Sequence, residues 1–209
     1  MISLLLAASL MTVQPPSGIN LCADPRNCRD VDQVQFRWGG RTRSVPINSS
    51  LPFVTESGIQ LLVGESVVLI VSESGQLTVE SHGAASDVVT PAKLSQAVEE
   101  MRADMAASGL DISGTNRPPT DDRPMDRVRL SMIQVPGGDE TVLLVENGYG
   151  FRLDYAAHMQ VPNQSGAPYT TTCEVMPGRM VMEHWPHPIM MINLSNFRVV
   201  EDTDAMTCD

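Results

Sequence analysis

Apolar and polar side chains alternate along much of this chain, which is the pattern of β-strands with one buried and one exposed face. Val34, Phe36 and Trp38 share one face of the first such segment. A glycine pair follows at 39–40 and suits a two-residue turn, because both turn positions need positive φ. Residues 41–47 can then return as the partner strand. The pattern predicts a β-hairpin early in the chain.

A second hairpin is predicted over residues 67–79. Its first part, 67–71, is an unbroken apolar run, which is typical of a strand buried on both faces. The Ser-Glu-Ser-Gly sequence at 72–75 has the chemistry of a turn. Residues 77–79 then alternate again, as expected for a returning strand.

Part of this pattern recurs later in the chain. Residues 59–73 and 133–147 can be aligned without a gap, and six of the fifteen positions are identical. This similarity predicts an internal duplication of a β unit. The alternative is that two unrelated hairpins both contain the Val and Leu residues that are common in buried strands, and the sequence leaves that alternative open.

Between the two β regions the period changes to that of a helix. Thr90 and Pro91 have the form of an N-cap followed by proline at the first helical position. Apolar side chains then recur on one stripe as far as a stop at Gly109, so residues 91–108 predict one amphipathic helix. Residues 113–124 are rich in Pro, Gly and Asp, as expected for a linker or a long surface loop.

The C-terminal part is again strand-like. Residues 169–175 and 180–184 alternate on either side of a Pro-Gly turn at 177–178, and 189–194 and 197–200 supply two more short strands. Many short strands with one helix predict a mainly β fold, sandwich-like or barrel-like, with two related β units joined by the helix. The predicted organisation is a first β unit at 24–89, the helix and linker at 90–124, and a second β unit at 125–209.

The N-terminus indicates export. Residues 1–13 are uncharged and apolar, too short a run to span a bilayer but long enough for the hydrophobic region of a signal peptide. We therefore assign residues 1–23 to a signal peptide cleaved between Ser9 and Ala23, although no Lys or Arg precedes the apolar run. A buried N-terminal strand or helix is the alternative. Lys93 is the only lysine, a bias typical of a GC-rich bacterial genome, so the predicted location is periplasmic or secreted.

Four cysteines accompany this apparent signal, and an even number favours disulfides in an oxidising compartment. Cys22 and Cys28 are close enough in sequence to close a short loop, which leaves Cys173 to pair with Cys208 near the C-terminus. The spacings do not match a zinc ribbon or a C-x-x-C redox motif. Free buried thiols in a cytosolic protein are the alternative.

The charge of the chain narrows the classes of partner. Asp and Glu number 25 against 14 Lys and Arg, giving a net charge of −11. Such a chain repels phosphate backbones and anionic lipid, so neither nucleic acid nor a membrane surface is an expected partner. No segment is long and apolar enough for a transmembrane helix.

The sequence carries no familiar catalytic motif: it has no G-x-S-x-G, S-x-x-K, H-E-x-x-H or P-loop pattern. Carboxylate pairs such as Asp30 with Asp32 lie at strand edges, and a glycosidase would need two such groups facing each other across a cleft. We expect a non-catalytic binding or structural module of the cell envelope, with no cofactor and with a protein or a small molecule as its unknown ligand. A hydrolase without a visible motif is one alternative.

The other alternative is soft-metal binding in residues 179–191, which hold four methionines, two histidines and a tryptophan. Met180, Met182 and His184 fall on one strand face, and thioether and imidazole ligands suit Cu(I). The segment resembles, over a few residues, the Met and His clusters of periplasmic copper-handling proteins. Methionine is abundant throughout the chain, however, and usually fills gaps in a core. We expect core packing at these positions, and we expect Trp185 to be tucked into the core as well.

Overall fold

The computed structural model describes residues 22, 24, 27–56, 58–90, 92, 94, 98–99, 116–117 and 125–200. These residues form thirteen β-strands, which are arranged in three antiparallel sheets, and a short 3-10 turn at Ala85–Asp87. The mainly β, sandwich-like prediction is confirmed. In the described part of the chain, no helix is long and apolar enough to cross a membrane.

The first sheet is a long two-stranded ribbon made of β1 (Cys28–Trp38) and β2 (Arg41–Pro52). The five-stranded sheet has the order β11-β10-β13-β4-β3, where β3 is Val54–Thr55, β4 is Gly58–Leu62, β10 is Arg152–Gln160, β11 is Tyr169–Thr170 and β13 is Met191–Val200. The six-stranded sheet has the order β6-β5-β8-β9-β12-β7, where β5 is Glu65–Val71, β6 is Leu77–Ala84, β7 is Asn116–Arg117, β8 is Val128–Gln134, β9 is Thr141–Asn147 and β12 is Met180–Trp185.

The five-stranded and six-stranded sheets pack face to face around one apolar core. Leu61 and Leu194 come from the five-stranded sheet, and Leu69, Leu130 and Leu143 come from the six-stranded sheet; all five are fully buried in this cluster. Each such side chain contributes about 1.5–3 kcal/mol when it leaves water. Alternating apolar side chains therefore place one face of each sheet against the other, which makes the sandwich.

Both halves of the chain contribute strands to both packed sheets. In the five-stranded sheet β4 pairs with β13, and in the six-stranded sheet β5 pairs with β8. The two segments of the predicted duplication are also arranged differently: β4 and β5 belong to different sheets, whereas β8 and β9 are hairpin partners in one sheet. The structure therefore does not show the duplication as a repeated unit.

The predicted helix lies partly within the described residues. Positions 92, 94, 98 and 99 are helical, and Leu94 and Val98 are almost completely buried. These two side chains pack on the outer face of the six-stranded sheet, against Val142 and Leu144 of β9. Leu94 and Val98 thus cover part of the sheet face that the other half of the sandwich leaves open. The rest of residues 91–108, and most of the linker at 113–124, lie outside the described residues.

The first two hairpins form where the pattern predicts them. Gly39 and Gly40 have φ values of 61° and 73°, and β1 pairs with β2 across this turn. The ribbon extends beyond the predicted 41–47 because a bulge, with Asn48 at φ 50°, lets β2 continue. In the second hairpin, β5 and β6, Ile70 is 36% exposed, so the expectation of burial on both faces is wrong.

The pairing of the C-terminal segments differs from the prediction. Residues 169–175 do not form a hairpin with β12, which instead pairs with β9. The reason is burial on both faces of β12: Val181 faces the sandwich core, while Met180 and Met182 lie under the helical segment. The two short strands predicted at 189–200 are one strand, β13, that continues through Asn196 at φ 54°.

Candidate functional site

The residues predicted as a possible copper site share one face of β12, as the alternation requires. Met180 and Met182 are 9% and 2% exposed and pack among Leu94, Val98 and neighbouring valines. His184 lies further along the same face, with its Nε2 atom 2.7 Å from a carboxylate oxygen of Glu140. The thioethers are thus surrounded by aliphatic side chains, the arrangement expected of core methionines. No group of three His, Cys, Asp or Glu residues among those described could hold a metal ion.

Trp185 is buried, as the packing interpretation predicts. It is 7% exposed within the main core, and its indole Nε1 donates a hydrogen bond of 3.0 Å to Thr170 Oγ1. The indole nitrogen therefore keeps a polar partner in an apolar surrounding. This tryptophan presents no open face on which a sugar or a peptide could stack.

The disulfide prediction is confirmed at the N-terminal end. Cys22 and Cys28 are bonded, with their Cα atoms 5.4 Å apart, immediately at the start of β1. Cys173 is also disulfide-bonded. Cys208 lies outside the described residues, so its pairing with Cys173 stays a prediction.

Buried carboxylates in the sandwich have partners that fix them in place. Glu146 lies 2.8 Å from the Arg129 guanidinium on the adjacent strand. The Glu183 carboxylate accepts a hydrogen bond of 3.2 Å from the Cys173 amide and one of 3.4 Å from the Tyr155 hydroxyl. Burial, helped by the charge on Glu183, raises the pKa of Tyr155 well above its usual range, so the phenol remains a donor. These groups satisfy one another inside the fold.

A groove of about 480 Å³ lies beside β1. One wall is β1 itself over residues 30–35, and the other is the connection between β4 and β5, residues 62–65. Val34 and Leu62 contribute apolar side chains, and Asp30 and Asp32 line the groove with exposed carboxylates. Val34 and Leu62 are almost fully buried in one cluster beneath the groove, so its open surface is mainly the acidic rim and the polar side chains of β1.

The edge of β1 presents main-chain hydrogen-bonding groups to this groove. The Arg37 amide donates to Gln134 Oε1 at 2.6 Å, and Gln134 Nε2 donates to the Arg37 carbonyl at 2.8 Å, so both Arg37 groups point away from β2. Main-chain groups repeat their direction every second residue, so those of Gln35 and Gln33 point the same way. Within the described residues, no strand pairs with this edge.

The outer edge of β2 differs, because it is blunted in two ways. Pro46 has no amide hydrogen to donate, and Asn48 lies in a bulge with left-handed backbone conformation. Proline and bulges are the usual means by which an exposed strand edge avoids pairing with another chain. The ribbon thus protects one of its edges and leaves the other able to pair.

The ribbon is held to the sandwich at both ends of the groove. At the disulfide end, the Arg29 guanidinium donates to the Pro52 carbonyl at 3.1 Å, lies 2.5 Å from Glu65 and covers the ring of Phe53 at 4.2 Å. At the tip, the Gly39 amide donates to Asp139 at 2.6 Å. The Arg29–Glu65 pair ties the start of β1 to the second wall, and the Gly39–Asp139 hydrogen bond holds the tip of the ribbon against the sandwich, so the groove is preformed.

The charge pair at the disulfide end is largely buried. Burial raises the pKa of Glu65 above its usual range, although the Arg29 charge, the Leu62 amide and the His82 charge oppose the shift. Burial likewise lowers the pKa of Arg29, and the Glu65 carboxylate opposes that shift. The Glu65 carboxylate is therefore occupied in holding the ribbon, and only Asp30 and Asp32 of the groove carboxylates face outward.

A second groove of about 520 Å³ lies at the far end of the sandwich, between β3, the turn from β5 to β6, and β13. Two glycines of its lining lie in close backbone contacts. A Cβ atom on Gly58 would lie 2.0 Å from the Leu194 carbonyl oxygen, and one on Gly75 would lie 2.3 Å from that of Phe197. Glycine at these two positions lets the backbone approach β13 closely.

Sequence reasoning singled out Asp30 and Asp32 as a carboxylate pair but did not find the groove. The second wall of the groove is remote from β1 in sequence. So is Gln134, which bonds to the Arg37 main chain and is separated from Arg37 by 97 positions. Comparison with protein-family models, curated proteins and solved structures finds no match to this chain. The candidate site therefore rests on its own geometry.

Proposed function

We propose that this protein is an exported, non-catalytic binding module that takes an extended segment of a partner polypeptide as an added strand on the edge of β1. The observation that carries the proposal is the pair of hydrogen bonds from the Arg37 main chain to Gln134. Strand alternation then directs the main-chain groups of Gln33 and Gln35 away from β2, and both residues line the groove. Addition of a strand to an exposed sheet edge is a recurring mode of peptide recognition. The bonded Cys22 and Cys28 fit an oxidising compartment, and we propose the bacterial periplasm or the exterior.

The dimensions of the groove set the strength of this interaction. Residues 30–35 extend over about 20 Å, which accommodates roughly six residues of a partner strand. Gln33 and Gln35 together offer two amide donors and two carbonyl acceptors, and each hydrogen bond contributes about 0.5–1.5 kcal/mol net. Because Val34 and Leu62 are almost fully buried and add little apolar contact, the affinity expected is micromolar to millimolar, as in transient complexes.

The test compares two substitutions at one position. Gln35→Pro removes the amide donor that faces the groove and leaves the hydrogen bonds to β2 intact, because the amides of Val34 and Phe36 face β2. Gln35→Ala removes only the side chain and serves as the matched control. The probe is a library of ten-residue peptides with valine at alternate positions, selected on the immobilised wild-type protein. Circular dichroism and thermal unfolding establish that both variants fold.

The proposal expects the selected peptides to bind Gln35→Ala within about threefold of wild type and Gln35→Pro at least tenfold more weakly, the loss equivalent to about 1.4 kcal/mol. Equal binding to the folded proline variant would overturn it, as would a selection that yields no binding peptide. Cu(I) binding through Met180, Met182 and His184, and a hydrolase activity, remain hypotheses that no observation on the described residues favours.

A further inference from the structure

We infer that the segment bound along β1 carries a Lys or Arg side chain opposite Asp30 and Asp32. This inference rests on the proposed function and adds the chemistry of the partner to it. Both aspartates are exposed and line the groove, at the end nearest the disulfide. They lie on the outward face of β1, where the side chains of an added strand would be their cross-strand neighbours.

Among the described residues, no ion pair joins a cation to either of these two carboxylates. Asp30 accepts a hydrogen bond from the Ser50 hydroxyl, which is neutral. The guanidinium of Arg29, which precedes Asp30 on β1, is directed to Glu65 and to the Phe53 ring. With the whole chain at a net charge of −11, the field at this rim favours a cationic side chain.

The far end of the groove has the opposite character. Arg37, Arg41 and Arg43 surround the hairpin tip, and the Arg37 main chain is already bonded to Gln134. An added strand must therefore end before Arg37, and its basic residue fits only at the aspartate end. The site would thus distinguish segments by where along the strand the positive charge lies.

The same arrangement disfavours a second copy of this chain as the occupant. Because the groove is limited to residues 30–35, antiparallel pairing of two β1 edges would place the aspartates of both copies in one short ladder. Like charges near each other across strands are destabilising, and each chain adds a net charge of −11. A basic segment of another protein meets none of this repulsion.

The test uses three peptides with valine at alternate positions and Lys, Gln or Glu between them, measured by fluorescence anisotropy on the full chain. Wild type is expected to bind the Lys peptide at least tenfold more tightly than the Glu peptide, with a preference that shrinks as salt is raised. The double variant Asp30→Asn and Asp32→Asn should reduce that preference to threefold or less. The control Glu56→Gln and Glu73→Gln changes the net charge equally, outside the groove, and should retain it.

Two outcomes would overturn the inference. One is equal binding of the Lys and Glu peptides while Gln35→Pro still weakens the Gln peptide, which leaves strand addition standing. The other is concentration-dependent dimerisation of wild type that Gln35→Pro abolishes, because the occupant would then be a second copy. Failure of the proposed function is distinguishable from both, since no peptide would then bind in a manner sensitive to Gln35→Pro and the protein would remain monomeric.

Discussion

Met182 shows how one side chain decides between two interpretations of a motif. Its alternation with Val181 and Glu183 places it beside Met180 and His184, as a metal site would require. Its 2% exposure and its neighbours Leu94 and Val98 instead give it the environment of a core residue. The sequence shows the alternation, but it does not show which element covers that face of the strand.

We expect Met182→Leu to be nearly silent and Met182→Ala to lower the free energy of unfolding by about 2–5 kcal/mol. A Leu for Met exchange conserves volume and costs under about 1.5 kcal/mol, whereas truncation leaves a cavity. Urea denaturation measures both. Titration against a Cu(I) chelator accompanies it, and tight one-to-one binding that is lost in Met182→Leu would contradict core packing and favour copper handling.

Buried Glu65, in the second wall of the groove, makes the stability of the protein depend on pH. Because its pKa is raised in the folded protein, folding disfavours the ionised carboxylate relative to the unfolded chain. The protonated Glu65 therefore favours the folded state. Its contribution to the free energy of unfolding is complete below the pKa of the unfolded chain and is lost as pH rises through the higher pKa of the folded protein. His82 also faces Glu65, so both proteins in a comparison should carry His82→Asn.

In that background, we expect the protein with Glu65 to lose free energy of unfolding relative to Glu65→Gln as pH rises above 4. The glutamine keeps an oxygen that can accept from the Leu62 amide but does not titrate. Thermal unfolding from pH 4 to pH 7 gives the two curves. Parallel curves would show that the Arg29 charge offsets burial at this carboxylate, and a relative gain with rising pH would show that it outweighs burial.

At the scale of elements, local patterns predicted the hairpins and missed the sheet partners. The glycine pair at 39–40 and the alternation of Val34 and Phe36 suffice for the ribbon, because turn and strand are adjacent in sequence. The partner of β12 could not be predicted in this way. Its pairing with β9 depends on Leu94 and Val98, which cover Met182, and on the core that receives Val181. Pairing across long separations is decided by which faces are buried, which a single segment does not reveal.

The disulfides give a prediction at this scale. Replacing Cys22 and Cys28 by serine should lower the free energy of unfolding by about 2 kcal/mol, because the closed loop is short. Loss of the predicted Cys173–Cys208 bond should cost about 3–4 kcal/mol, because its loop is longer. Denaturation of the two double-serine variants measures these losses. Non-reducing peptide mapping checks the connectivity, and crossed pairs or free thiols would contradict it.

For the whole molecule, composition and charge exclude some classes of partner but do not identify the binding site. The net charge of −11 and the alternation of strands predict a β protein that avoids nucleic acid, but the groove needs three separate parts of the chain. β1 supplies the edge, residues 62–65 supply the facing wall, and Gln134 with Asp139 hold the hairpin tip. No local period in the sequence relates these parts, so the site could be found only once they were placed together.

Export is the prediction that concerns the chain as a whole. The uncharged apolar residues 1–13 lead us to expect a mature protein that begins after Ser9 and before Asp24. N-terminal sequencing of protein recovered from separated cell fractions measures the start. Full-length protein confined to the cytosol would contradict export and would also remove the oxidising compartment from the proposal.

The most direct measurement of the central claim is residue-resolved amide hydrogen exchange along β1, with and without the Lys peptide. In the protein alone, the Gln33 and Gln35 amides should exchange fast, while those of Val34 and Phe36, which face β2, exchange slowly. Saturating peptide should slow Gln33 and Gln35 at least tenfold and leave Arg37, already bonded to Gln134, unchanged. Gln35 exchange as slow as that of Phe36 in the protein alone, or unaffected by bound peptide, would contradict strand addition at this edge.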